Sequence, residues 1–313
     1  MNEQLANTIR SQLSGGESYD HFSPSSLNIP IPKYIISYVC STQAMRRQNK
    51  VGFKAHYGVL CGNVAQRLLS KYIFKAAEKE EVKPELFDKI FEHELAIINK
   101  NEPKDERDEQ CRIDMIPSCK ASIEQTLKLV KEVFGDEPLT SERYVHVTPP
   151  GLILDILGRI DFESLENSSE NFLKNSSENK KGKFLELKSK PINFRKNKNG
   201  MSQIIQKLPN TIDDCEETYL KQVAFYWKAT GKKAYLGYVN QEEYKIFEPE
   251  DDRLEYYYHQ LVNKAFTIQN LLEVSKGDAR QMAKLVEAPD LKNFYYSDLT
   301  EEQVDIAKEL WGI

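Results

Sequence analysis

The chain has 313 residues, enough for one large domain or two small ones. A hydrophobic content of 40% with a charged content of 29% fits a soluble globular protein, and a net charge of −5 argues against wholesale electrostatic coating of nucleic acid. No signal peptide is visible, no apolar run approaches membrane-spanning length, and the five cysteines lack the Cys-x-x-Cys spacing of zinc sites. Free thiols and no membrane association therefore fit a reducing cytoplasm.

Residues 1–30 are polar and punctuated by Gly15, Gly16, Pro24 and Pro30, which predicts a flexible arm. Tyr34–Val39 is the first apolar run. Arg46, Arg47, Lys50 and Lys54 follow as a basic cluster, either a solvated face or a phosphate-contacting surface. Gly62–Tyr72 reads as the opening of an amphipathic helix, with Val64, Leu68, Leu69 and Tyr72 on one face. Pro84–Lys100 and Ser118–Phe134 predict two more helices, separated by a charged connector at Asn101–Gln110. Residues 31–140 are thus expected to be helical.

From Tyr144 the hydrophobic period shortens. Tyr144–Val147 and Leu152–Phe162 predict strands, the second ending in Gly158-Arg159-Ile160-Asp161. The next strand is Phe184–Lys190. Residues 164–182 between them carry Asn-Ser-Ser-Glu-Asn twice and too little apolar content to bury, so a disordered insert is expected. A basic loop, Pro191–Gly200, follows with Arg195, Lys196 and Lys198, suited either to tracking a phosphate backbone or to solubility. Thr218–Gly231 predicts a helix in which Gln222 and Tyr226, four apart, share a face. Strands at Ala234–Val239 and Tyr244–Glu248 complete a region spanning 141–250. Helices near Asp251–Ser275, Asp278–Val286 and Thr300–Trp311 close the chain over 251–313.

Side chains two apart on a strand share a face, so Glu186 and Lys188 project together while Leu187 turns the other way. Pairing of the two long strands brings Asp161 to them. Two carboxylates and an ammonium then line one small site, a donor set suited to Mg²⁺.

Gly158-x-x-Asp161, Glu186-x-Lys188 and Gln222-x-x-x-Tyr226, in that order, resemble the motifs of the PD-(D/E)XK nucleases, specifically the RecB-like branch, over about residues 60–250. The resemblance implies an α/β fold: a restriction-endonuclease-like core with a mixed central sheet flanked by helices, an N-terminal helical region walling a DNA site, and C-terminal helices. It implies Mg²⁺, or Mn²⁺ in its place, held by Asp161, Glu186 and the Leu187 backbone carbonyl. It also implies that Lys188, Gln222 and Tyr226 complete the catalytic set. Gln66 stands where the family's helix carries a metal-ligating histidine, a departure, and Glu142 stands where relatives often have an acidic residue. Arg46, Arg47, Arg195, Lys196 and Lys198 are the expected DNA contacts. Cysteine is absent after Cys215, so no iron–sulfur cluster of the kind several relatives carry is expected. The implied activity is a metal-dependent exonuclease acting on DNA ends, as in phage replication, recombination or degradation. An endonuclease of the same fold, or a non-catalytic DNA-binding subunit, are the alternatives.

Overall fold

The computed structural model describes residues 21–42, 45, 52–73, 84–165, 182–190, 192–197 and 200–313. In chain order the elements are β1 (His21–Phe22), α1 (Pro24–Leu27), α2 (Ile31–Tyr34), a π-helical turn (Ile35–Cys40), α3 (Phe53–Ile73), α4 (Pro84–Ile98), α5 (Glu106–Phe134), β2 (Leu139–Val147), β3 (Asp155–Ser164), β4 (Lys183–Ser189), β5 (Asn193–Asn197) and β6 (Gly200–Ile204). They continue as α6 (Glu217–Thr230), β7 (Lys233–Val239), β8 (Tyr244–Phe247), α7 (Asp251–Ser275), α8 (Ala279–Lys284) and α9 (Glu301–Trp311). The chain divides into two compact units, one of residues 52–145 and 159–253, the other of residues 1–51, 146–158 and 254–313.

The first of these is an α/β unit built on a mixed sheet. β3 runs antiparallel to β4, β4 parallel to β7, and β7 antiparallel to β8, while β2 pairs with β3. α3, α4 and α5 share one apolar core with the sheet, in which Leu60, Val64, Leu68, Phe91, Ile123 and Leu129 meet Phe162 and Leu185. Two polar contacts fix α3 on α5. The Asp108 carboxylate accepts the Phe53 N–H at 2.8 Å, satisfying a donor at the start of α3. The Tyr57 hydroxyl lies 2.6 Å from Ser122 Oγ and donates to the Ser118 carbonyl at 3.0 Å. A buried ion cluster closes the far end of β3. Glu163 is 1% exposed and accepts from Lys232 Nζ at 3.0 Å and from the Arg143 guanidinium. Burial pushes the Glu163 carboxyl up, but those two cations outweigh it and leave it below the ordinary range.

In the other unit, β1 pairs in parallel with the first residues of β3, His21 with Asp155 and Phe22 with Ile156. Ser23 caps α1 through a reciprocal capping box with Ser26. Ile36 of the π-helical turn packs with Tyr296, Leu299 and Ala307, and the Gln303 amide donates to Ser41 Oγ at 3.1 Å. Gln269 of α7 accepts the Ile153 N–H at 2.7 Å and donates to the Gly151 carbonyl, holding the turn before β3.

Several boundaries differ from the sequence reading. Of the expected arm at 1–30, residues 1–20 lie outside the described residues, whereas from His21 the chain forms β1 and the capped α1. α3 begins at Phe53, so Gly62 lies inside a helix instead of opening it. α5 takes in part of the supposed connector and continues through Pro117, because Asp105 caps it by accepting the Asp108 N–H and its long buried face outweighs the missing donor. The supposed basic loop at 191–200 instead contributes to a hairpin, with β5 and β6 in register from Asn193 opposite Ile204 to Asn197 opposite Gly200. The insert at 164–182 falls outside the described residues from 166 to 181.

At Gly237 of β7, Leu129 of α5 packs directly onto the sheet. A Cβ there would meet Leu129 at 2.9 Å and Leu185 at 3.0 Å. Gly237→Ala is therefore expected to destabilise the protein by about 1–3 kcal/mol through overpacking. Denaturant unfolding measures this, and an unchanged midpoint would contradict the close packing.

Candidate active site

The β3–β4 ladder pairs Glu163 with Phe184 and Phe162 with Leu185. The next step sets Asp161 beside Glu186, and there the Asp161 carboxylate accepts the Leu187 N–H at 2.9 Å. Glu186 is only 2% exposed. Lys188, two residues on and on the same face, donates from Nζ to Glu186 Oε1 at 2.6 Å.

α6 supplies the next layer. Gln222 Oε1 accepts from Lys188 Nζ at 3.0 Å, and its amide nitrogen donates to the Tyr226 hydroxyl at 3.0 Å. The Tyr226 oxygen also accepts the Arg159 N–H at 3.3 Å, and its ring meets Phe184 edge-on. Gln222 and Tyr226 thus tie the ammonium to the β3 backbone. The Tyr219 ring lies 4.6 Å from Lys188 Nζ, a cation–π contact on the same helix face.

A cleft of about 360 Å³ opens over these groups. Asp161, Lys188 and Tyr219 line it, together with Gly58, Gly62 and Gln66 of α3. Gln66 donates from its amide nitrogen to Glu142 Oε1 at 2.8 Å, and Arg159 forms an ion pair with Glu142 Oε2. Glu142 sits in the middle of β2 with φ +62°, a strained conformation for a residue with a side chain. Both of its oxygens are engaged, so in this arrangement Glu142 serves to hold Gln66 and Arg159.

Electrostatics set the protonation of the pair. Burial, then the neighbouring Asp161 charge, push Glu186 up to about 8 against the pull of Lys188. Burial also raises Asp161, opposed by Lys188, the Leu187 N–H and Arg159. The two acids keep Lys188 cationic, its own value raised although burial lowers it. Glu186 therefore keeps a proton near neutral pH while Lys188 balances the Asp161 charge, and Glu186 Oε2 is buried with no donor to accept from. That orphaned acceptor beside Asp161 fits a hard divalent cation. Among the described residues no three His, Cys, Asp or Glu are grouped so as to hold a metal ion.

Of the residues expected from the sequence, Asp161, Glu186, Leu187, Lys188, Gln222 and Tyr226 come together, and Gln66 and Glu142 meet across the same cleft. Arg46, Arg47 and Lys198 lie outside the described residues, and Arg195 and Lys196 stand on β5. Three contributors had no role assigned from sequence: Tyr219, Arg159 and Asn63, the last lining the cleft and donating to the buried Glu94 at 3.0 Å. Helical spacing was the usable signal, as Tyr219 precedes Gln222 by three and Asn63 precedes Gln66 by three.

No family model matches the chain, and no curated protein does. A solved structure titled "Crystal structure of SSO0001" is similar at 16% identity, over 66% of this chain and 87% of that chain, with a TM-score of 0.27. Among the described residues no helix is long and apolar enough to cross a membrane.

Glu186 binds its proton more tightly folded than unfolded, where its value is near 4.5. Between pH 4.5 and about 8 the native state therefore holds the extra proton, and stability falls as pH rises through that window. In chelator, the melting temperature is expected to drop from pH 5 to pH 8, with a flatter profile for Glu186→Gln. Equal profiles for the two proteins would contradict the buried pair.

Proposed function

We propose that this cleft hydrolyses phosphodiester bonds in DNA, in the manner of a RecB-like PD-(D/E)XK nuclease with a restriction-endonuclease-like core. The observation that carries the reading is the convergence of Asp161, Glu186 and Lys188, from two strands separated by an insert, with Gln222 and Tyr226 behind them. All three resembling motifs fall on one site.

Asp161 and Glu186 would hold Mg²⁺, with the Leu187 carbonyl and the Gln66 amide oxygen as neutral donors. When bound, the cation supplies Lewis acidity, making a water acidic enough to attack near neutral pH and offsetting phosphate charge. The chain's own groups do the rest. Lys188 donates a hydrogen bond to the phosphate oxygen or the attacking water. Gln222 and Tyr219 fix its ammonium against rotation, so that the donor is oriented before substrate arrives. Arg159, half-exposed at the cleft and held by Glu142, places a second cation where a phosphate enters. The buried free thiols are consistent with a reducing compartment.

The resemblance to stand-alone phage exonucleases favours attack from DNA ends. With Mg²⁺, end-labelled linear DNA is expected to release nucleotides while closed circular DNA stays intact, and chelator stops the reaction. Asp161→Asn and Glu186→Gln should abolish it, and Lys188→Ala should lower the rate about 10²–10³-fold. Cleavage of the closed circle would establish an endonuclease. Wild-type rates in the carboxylate variants would overturn the site.

A further inference from the structure

A second cavity, of about 210 Å³, opens where β4 ends, with Lys190, Lys207, Asn210, Asp214 and Glu216 in its lining. Lys190 continues the face of β4 that carries Lys188. Its N–H donates to the Val239 carbonyl at 2.7 Å, which carries the β4–β7 pairing one residue past Ser189. Both ammoniums meet the same aromatic ring. Lys188 Nζ lies 4.6 Å from the centre of Tyr219 and Lys190 Nζ 5.4 Å from it. Tyr219 also lines the first cleft, so this ring links the cleft to the lysine of the second cavity.

Lys190 is firmly placed but weakly neutralised. Its Nζ lies 5.2 Å from the Tyr238 ring as well, and its side chain is 16% exposed. The carboxylate it pairs with, Glu216, is 50% exposed, and an ion pair so open to water adds little and exchanges with other anions. Lys207 is exposed at the same cavity and has no hydrogen-bond or ion-pair partner among the described residues. Asp214 is committed elsewhere: it accepts the N–H groups of Asn210 and Thr211 and the Thr211 hydroxyl. Lys245 stands near it and donates to Asn210 Oδ1 at 3.1 Å. Lys190, Lys207 and Lys245 thus outnumber Asp214 and Glu216, so this corner attracts anions although the chain as a whole carries a net charge of −5.

Positions two apart on a strand are about 6.6–6.8 Å apart along it, a step similar to that between successive phosphates of an extended nucleic-acid strand. We propose that the second cavity is a subsite for the backbone phosphate next to the scissile one, contacted by Lys190 and Lys207. Glu216 holds Lys190 while the subsite is empty and gives it up when the phosphate enters. The proposal rests on the nuclease reading and adds to it a second phosphate contact and the path of the strand out of the cleft, past Tyr219. Lys190 acts by binding: a phosphate contact fixes the register of the strand and takes no part in breaking the bond.

The two members of the ion pair are expected to act in opposite directions, which a purely structural role does not produce. Lys190→Gln should bind a fluorescein-labelled DNA oligonucleotide about tenfold more weakly in chelator, with the slope of log K against log salt reduced by about one. Its KM for Mg²⁺-dependent digestion should rise by a similar factor while kcat changes less. Glu216→Gln leaves the lysine in place and should bind about threefold more tightly, which keeps the test open should Lys190→Gln fold poorly. Lys190→Arg should keep the wild-type slope. On an oligonucleotide whose phosphates flanking the scissile one are neutral methylphosphonates, wild type and Lys190→Gln should have equal KM. No gain in Glu216→Gln, or an unchanged slope in Lys190→Gln, while wild-type protein digests DNA, would overturn the subsite and leave the nuclease reading standing. If wild-type protein neither binds the oligonucleotide nor digests it with Mg²⁺, the nuclease reading fails and this inference with it.

Discussion

Two carboxylates side by side, one of them buried, repel each other, and the candidate site is arranged around that repulsion. Asp161 and Glu186 are brought together by the antiparallel β3–β4 ladder, Glu186 buried and Asp161 half-buried at the cleft. Left alone, such a pair sheds charge by keeping a proton, which is the direction in which both groups shift. The surrounding donors, the Leu187 N–H and the Lys188 ammonium, offset part of the cost. They leave one oxygen of Glu186 with no partner. A divalent cation in place of the proton would neutralise both acids and satisfy that oxygen.

The ammonium is as constrained as the acids. Lys188 is held by a carboxylate, by an amide oxygen and by an aromatic face, and Gln222 is itself fixed through the Tyr226 hydroxyl to the Arg159 backbone. Long side chains lose considerable rotamer entropy on fixing, so such a web suits a group that must be oriented in advance. Across the cleft, Gln66 and Arg159 are fastened through Glu142, whose backbone is held at a positive φ. Strain of this kind persists only where neighbours over-determine it. It belongs here to the residue that joins β2, β3 and α3.

The strands that carry Asp161 and Glu186 were legible in the sequence because their signals are local. Alternation placed Glu186 and Lys188 on one face, and helical spacing placed Gln222 with Tyr226; β4, α6 and α7 end close to the positions their patterns indicate. What escaped depends on tertiary context. The charged run Asn101–Gln110 suggested a connector, yet α5 takes in part of it and continues through Pro117 because its buried face is long. Gly62 looked like a helix start, but Asp108, distant in sequence, caps α3 at Phe53. The β5–β6 hairpin has a polar, basic composition without clean alternation, and pairing alone defines it. Glu142 illustrates the limit for side chains: its acidity was visible, whereas its commitment to Arg159 and Gln66 was not.

The central claim is that the Asp161–Glu186 pair is a cation site. A crystal of the protein soaked in Mn²⁺, with anomalous diffraction data, tests it most directly. The account predicts an anomalous peak in contact with both carboxylates, with Lys188 alongside and Glu186 Oε2 now partnered. A peak elsewhere on the molecule, with none between Asp161 and Glu186, would contradict it.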